Sequence, residues 1–284
     1  MTEPEIIPLW QPVGNSTHII ASKVAKKLNK KTSHTGTLDP MAEGIIVILA
    51  GETRLKKKEL AKWPKEYKFD VALGISTDTY DGLGLIQQDS FSIKNTSKFF
   101  SHREIFVGRI KQALSRLQGD YVQEVPPFSA IKVSGKPLHW YARNKNLPRE
   151  LPKRSGEIFD IELLDFKEVS LQNLISDLLE KISKVTGDLR QGEIAPQWRD
   201  FAGLREKSKD VRIPIISIRA TLSKGLYVRS LSQDICGLIG VKGFVSNLVR
   251  TRNGSFHREN SLSLEEFFGS GFRDKYDFVS RFKS

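Results

Sequence analysis

The longest unbroken aliphatic run in the chain is residues 45–50, IIVILA. It is far shorter than the ~20 apolar residues of a membrane-spanning helix. It has no polar alternation, so it reads as a strand buried on both faces. The stretch in front of it, residues 32–44, is polar and bears glycine, and reads as a loop. Gly36 permits a sharp turn there, and Pro40 fixes the backbone just after Asp39. Such a loop holds a carboxylate rigidly at the end of a sheet, where function concentrates. Taken alone, the same residues also suit a turn in which Asp39 caps neighbouring N–H groups.

The rest of the chain must enclose that strand. Residues 8–14 read as an extended lead-in. Ser16 or Thr17 caps a helix with Ile20, Val24 and Leu28 on one stripe. Residues 52–62 suggest a short helix, and 67–74 alternate as a strand with Tyr67, Phe69, Val71 and Leu73 on one face. A turn-rich loop spans 77–84 and a helix 104–117. Strands are expected at 128–133, 158–166, 216–222 and 245–251, and Ser134-Gly135-Lys136 closes a hairpin. Helices are expected at 137–145, over the stripe from Leu171 to Ile182, over a stripe of Val228, Leu231, Ile235 and Leu238, and at 263–268. Residues 187–212 are poorly patterned and read as a surface loop. Strands and helices interleave irregularly with hairpin-length turns, which predicts a mixed α+β fold rather than a doubly wound parallel sheet.

Charge narrows the function. Lys plus Arg is 45 and Asp plus Glu is 33, a net charge of +12. That excess favours a polyanionic partner through counterion release, although a solubilising lysine surface also produces it. Clusters at Lys23 to Lys31, Arg54 to Lys68 and Arg250 to Arg252 are placed to follow phosphates, with Trp63 and Trp140 available for stacking. The single cysteine, Cys236, excludes an intrachain disulfide and a cysteine-cluster metal site. With no secretory pattern at the N-terminus, these features lead to the expectation of a cytoplasmic protein.

The motifs HTGTLDPMAEG (from His34), Lys65-Glu-Tyr-Lys68, TDTYDGLG (from Thr77), PPFSAIKVSGKPLHWYAR (from Pro126) and Gly225-Leu-Tyr-Val-Arg-Ser230, with residues 245–252, stand in a characteristic order. This ordered set resembles the TruB-type pseudouridine synthases over most of residues 8–270. The resemblance implies a mixed, largely antiparallel central sheet flanked by helices and loops. It implies a catalytic domain over 1–255, carrying an insertion at about 169–212, followed by a short extension over 256–284. It further implies isomerisation of uridine to pseudouridine in RNA, usually uridine-55 of the tRNA T-arm stem-loop. No cofactor or metal is required, because the reaction is neither redox nor hydrolytic.

The resemblance also assigns residues. Asp39 is the catalytic carboxylate, acting either as nucleophile on the ribose or as base on a ribose proton. A carboxylate in a nearly dry pocket is disfavoured as an anion, and a buried cation opposes that. Arg229 matches the arginine that pairs with the catalytic aspartate, and Asp81 the acid that holds the arginine. Tyr67 matches the tyrosine on which the flipped base stacks, and His34 the histidine that wedges into the T-loop. Tyr227 and Leu248 match pocket-lining positions. Read from periodicity alone, Tyr67, Tyr227 and Leu248 are core residues, His34 a capping or surface residue, and Arg229 with Asp81 a structural ion pair.

The sequence departs from the family pattern at four places. Trp10-Gln11-Pro12 stands where Asp-Lys-Pro is usual, and Ser33 where a glycine is usual. The insertion at 169–212 separates two core strands. Only 32 residues (284 minus 252) follow Arg252, so no C-terminal PUA domain is expected. That points away from the guide-RNA-dependent relatives, to a chain acting without guide RNA; separately, a monomer is the expectation. Two rival readings stand beside this one. The first is a catalytically silent RNA-binding protein or tRNA folding chaperone, which needs no Asp39, Tyr67 and Arg229 trio. The second, a metal-dependent phosphoesterase using His34 and Asp39, lacks a second carboxylate–histidine cluster.

Overall fold

The computed structural model describes residues 5–87, 102–203 and 211–270. In chain order the strands are β1 (Ile6–Gln11), β2 (Thr32–His34), β3 (Ala42–Ala50), β4 (Lys65–Leu73), β5 (Gly119–Glu124), β6 (Lys132–Val133), β7 (Lys136–Pro137), β8 (Lys153–Ser170), β9 (Arg212–Leu222), β10 (Gly243–Asn253) and β11 (Phe256–His257). The α-helices are α1 (Thr17–Leu28), α2 (Lys57–Leu60), α3 (Arg103–Leu117), α4 (Leu138–Arg143), α5 (Leu171–Lys184), α6 (Gln191–Gly203), α7 (Val228–Ile239) and α8 (Leu264–Phe268). A 3₁₀ turn, Gly51–Lys56, precedes α2. This is the mixed α+β, largely antiparallel architecture expected. No helix among the described residues is long and apolar enough to cross a membrane.

The chain forms two compact units. One is drawn from residues up to 68, residues 184–187 and residues from 248 onward; the other from 69–183 and 188–247. In the first unit β3 is the aliphatic run of the sequence, and residues 45–50 are all fully buried. Strand β1 lies antiparallel to it, from Ile6 opposite Leu49 to Gln11 opposite Gly44. The second half of β10 runs parallel to it, Leu248 beside Ala42 and Arg250 beside Gly44. Gly44 allows this approach: its φ is +127°, and a Cβ there would lie 2.2 Å from the carbonyl oxygen of Arg250.

In the second unit the 18-residue strand β8 pairs antiparallel with β5 through its first part and with β9 through its second. Helix α7 buries Val228, Leu231 and Ile235, but its stripe ends on Ile239 rather than Leu238, which is 44% exposed. Residues 134 and 135 both adopt positive φ, closing the β6–β7 hairpin as expected from Ser134-Gly135.

Several local expectations are corrected. The loop expected at 187–212 contains α6. Its buried contacts come from two residues a helical turn apart, Ile194 and Trp198, both 0% exposed. Pro196 lies inside this helix and obscured the pattern. Of the strand expected at 128–133 only Lys132–Val133 forms. Strand β5, not anticipated, turns Tyr121 and Gln123 inward and leaves Val122 58% exposed. That inverts the usual polarity of a strand and hid it from pattern reading. The loop expected at 32–44 includes β2 and the start of β3. At the head of α1 the Ser16 side chain makes no capping bond. The Thr17 hydroxyl donates instead to Gln11 Oε1 at 2.6 Å and accepts from the Leu38 N–H at 3.0 Å.

Trp198 has neighbours on two sides, its ring centroid 5.4 Å from that of Phe244 and 6.1 Å from that of Phe201. Trp198→Ala is therefore expected to lower stability by about 3–5 kcal/mol, as truncation of a buried tryptophan does. Urea unfolding would measure it, and a loss below about 1 kcal/mol would mean that α6 is not packed as described.

Candidate active site

The loop bearing Asp39 is pinned at both ends and in the middle. The Asp39 carbonyl accepts from Ala42 N–H at 3.0 Å, and the Pro40 carbonyl from Gly14 N–H at 2.9 Å. Thr35 N–H donates to the Val47 carbonyl at 3.1 Å, and Asn253 Nδ2 to Thr35 Oγ1 at 2.9 Å. The strongest brace is Arg250, 1% exposed. Its guanidinium donates to the carbonyls of Ile45 at 2.6 Å, Gly36 at 3.1 Å and Thr37 at 3.4 Å. A buried guanidinium remains charged and needs such acceptors on every side. Gly36 does not adopt positive φ, and a Cβ there would meet Lys65 at 3.5 Å, ordinary contact distance. The loop's path thus owes more to Arg250 than to the glycine turn expected from the sequence.

Arg250 is one correction to the basic surface read from sequence, and Lys65 is another. Lys65 is 5% exposed, with its ammonium donating to the carbonyls of Ala61 at 3.0 Å and Trp63 at 2.6 Å. Trp63 packs against Phe256, ring centroids 6.0 Å apart. Arg250 and Lys65 are structural, and Trp63 is half-buried against the core. Trp140 is different: it is 37% exposed, with the Lys136 ammonium 3.6 Å from its ring centroid. The alternation of Leu248 and Arg250 on the inward face of β10 was visible in the sequence, and it was the available sign that Arg250 points inward.

The first unit holds four of the residues singled out. Asp39 is half-buried at the loop end. Tyr67, on β4, is 9% exposed. Leu248, 6% exposed, lies beside Ala42, three residues after Asp39. His34, the last residue of β2, lines a cleft of about 570 Å³ together with His18, Ser22, Lys31, Arg54 and Lys57. Its Nδ1 is buried and has no hydrogen-bond partner among the described residues. Burial, and then the positive charges of Lys57, Arg250 and His18, push its pKa down to about 4. His34 is therefore neutral at physiological pH, suited to stacking or wedging rather than to holding a phosphate by charge.

The second unit brings Arg229, Asp81 and Tyr227 into one region. Tyr227 stands at the head of α7 and exchanges two hydrogen bonds with Gln123: its N–H donates to Oε1 at 2.5 Å, and its carbonyl accepts from Nε2 at 3.2 Å. Arg229 follows in the first turn, 4% exposed. Its Nη1 donates to the Thr79 carbonyl at 3.1 Å and its Nη2 to the Phe128 carbonyl at 3.2 Å. Its Nε lies 3.8 Å from Asp81 Oδ2. Asp81 is held in turn by the Thr79 hydroxyl at 2.7 Å and the Leu83 N–H at 2.9 Å. Next to it Tyr80 takes a left-handed conformation, φ 66°, which a bulky residue adopts only when its surroundings impose it. Burial, then the Glu124 carboxylate, raise the Tyr80 phenol pKa.

A sequence profile of the TruB family pseudouridylate synthase N-terminal domain matches residues 24–177. The chain belongs to the TruB family. Among relatives of this TruB-family chain, tRNA pseudouridine synthase B of Clostridioides difficile is 32% identical over 282 residues, covering 96% of this chain and 74% of that protein. The protein of the same name from Listeria monocytogenes is 31% identical over 262 residues, covering 92% and 70%. Among solved structures, a Cbf5-Nop10-Gar1 complex superposes with a TM-score of 0.55 at 19% identity over 98% of this chain and 57% of that chain. An H/ACA RNP bound to a substrate RNA containing 2'-deoxyuridine gives 0.53 at 18% identity, over 98% and 56%. The TruB-family chain thus spans less than two thirds of those solved chains, and at such identity the likeness is one of fold.

The depressed His34 value sets a pH signature. Its folded pKa lies below the free value of 6.5, so the unfolded chain binds that proton more readily. The associated stability is complete above pH 6.5 and is lost as pH falls through about 4. Urea midpoints are expected to decline more steeply across that interval in the wild type than in His34→Gln, and the His34 imidazole should titrate near 4 by NMR. A midpoint near 6.5 would contradict the buried placement.

Proposed function

We propose that this chain isomerises uridine to pseudouridine in tRNA, at position 55 of the T-arm, as a monomer without guide RNA or cofactor, in the cytoplasm. Family membership supports the reaction, and the names of the Clostridioides difficile and Listeria monocytogenes relatives support the tRNA substrate. The observation that carries most weight is the buried guanidinium of Arg229. It is oriented by two carbonyls and Asp81 at the head of α7, the kind of fixed cation an anionic catalytic centre requires.

In this proposal the target uridine is extruded from the T-loop, and His34, neutral at working pH, occupies the space it leaves. The family resemblance assigns base stacking to Tyr67 and pocket-lining roles to Tyr227 and Leu248. Asp39 acts on the ribose, as nucleophile at C1′ or as base on a ribose proton, and the C1′–N1 bond breaks. The uracil turns, C5 joins C1′, and the C5 proton departs while N1 gains one. Product and substrate are isomers, so no atom from outside is required. The family resemblance assigns to Arg229 the part of the cation that favours the anionic form of the catalytic carboxylate in a water-poor site.

The test is a purified protein incubated with an unmodified T-arm hairpin without metal or guide RNA, with pseudouridine mapped by chemical adduct and primer extension. Wild type should modify position 55, and Asp39→Asn should yield no product. Arg229→Lys keeps the charge but loses the planar fork, and is expected to reduce the rate at least ~100-fold, an effect comparable to losing one fixed transition-state donor. Tight hairpin binding with no product from wild type would instead favour the RNA-chaperone reading.

A further inference from the structure

The insertion that sets this sequence apart from its family pattern reaches the region around Arg229 through Arg190, the residue just before α6. The Arg190 guanidinium grips Asp78 by both oxygens, Nη1 to Oδ2 at 2.7 Å and Nη2 to Oδ1 at 3.1 Å. Its Cζ lies 4.1 Å from the ring centroid of Phe128. Asp78 adjoins Thr79. The carbonyls of Thr79 and Phe128 both accept from the Arg229 guanidinium. One arginine therefore holds two backbone segments whose carbonyls accept from a second, buried arginine.

The surroundings fit a clamp rather than an incidental surface pair. The side chains of Arg190 and Asp78 are only 15% and 21% exposed. Asp78 Oδ1 also accepts from the Leu85 N–H at 2.8 Å, closing the loop on itself. A few residues along α6, the Gln197 side chain accepts from the Ile86 N–H at 2.7 Å and donates to the Ile86 carbonyl at 3.3 Å. The insertion thus holds the 77–86 loop at both ends. Arg190 itself has φ 68°, a left-handed conformation, and its carbonyl accepts from the N–H groups of Glu193 and Ile194 to start α6.

We propose that Arg190 is a positioning residue for Arg229: the bidentate grip on Asp78 and the cation–π contact with Phe128 fix the Thr79 and Phe128 carbonyls, which accept from the Arg229 guanidinium. The insertion then supplies part of the support of the proposed catalytic site rather than a peripheral surface. This inference rests on the role given to Arg229 under the proposed function. Lysine cannot replace Arg190, because one ammonium offers neither the parallel pair of bonds nor the planar face.

The experiment measures two quantities on the full chain. Hydrogen exchange of the Arg229 guanidinium, assigned by its disappearance in Arg229→Lys, is followed by ¹⁵N NMR in wild type, Arg190→Ala and Arg190→Lys. Single-turnover isomerisation of the T-arm hairpin and hairpin affinity are measured in parallel. Arg190→Ala should speed Arg229 exchange at least tenfold in the folded protein. It should slow single turnover roughly ten- to a hundred-fold, as small misplacements of site groups do, at unchanged affinity. Arg190→Lys should not restore either. Unchanged exchange, or an unchanged rate per folded molecule whatever the loss of Tm, overturns the proposal. A wild type that makes no pseudouridine defeats the isomerase reading alone; the exchange comparison then decides for or against the clamp by itself.

Discussion

A guanidinium cannot shed its proton to escape a dry environment, so burying one forces the surrounding backbone to supply acceptors. Each of the two units is organised around such a demand. In the first, Arg250 ties the carbonyls of Gly36, Thr37 and Ile45 together, joining the Asp39 loop to the strand that follows it. In the second, Arg229 ties the 77–84 loop, through Thr79, to the segment after Pro127, through Phe128. Loops that would otherwise be free to wander are made rigid by a charge that has nowhere else to go. Breaking such an arrangement leaves an unpaired buried charge, a loss of ~3–5 kcal/mol.

The same logic accounts for basic residues that looked like an RNA footing and are not. Lys65 and Arg250 are buried and hydrogen-bonded to carbonyls. The positive excess of the chain therefore overstates the charge available to a polyanion. What remains accessible includes the cleft beside His34, with Lys31, Arg54 and Lys57 on its walls. The suppressed basicity of His34 is a product of that crowding: burial and like charges both disfavour its protonated form.

Legibility in the sequence followed the strength of the periodic signal. The 45–50 run, the stripe of α7, the stripe of α5 and the Ser134-Gly135 hairpin were each readable, because burial or turn geometry dictates their residue types directly. Strand β5 was not, because its inward residues are Tyr121 and Gln123 and its outward one is Val122. Helix α6 was not, because two buried residues and an internal proline leave little pattern to see. Thr17 was placed as a possible cap, whereas its hydroxyl bridges Gln11 and the Leu38 N–H. Among the site residues, Asp39, Tyr67 and His34 stood out only through the ordered motif set, since each alone has an ordinary structural explanation.

The order of the motifs carried by residues 34–44, 65–68, 77–84, 126–143 and 225–230 determined the family, the kind of reaction and the residues nominated for it, because spacing along a chain preserves chemistry that must be delivered to one place. The Arg229–Asp81 pair was implied by the motifs, but the pairings of side chains with distant backbone, and the Arg190–Asp78 pair, were decided by the tertiary structure alone. Arg229 meets Thr79 and Phe128, Arg190 meets Asp78, and Arg250 meets Gly36 because sheet register and helix docking bring those backbones together. A linear pattern records which side chains are polar; it does not record which distant carbonyl each one satisfies.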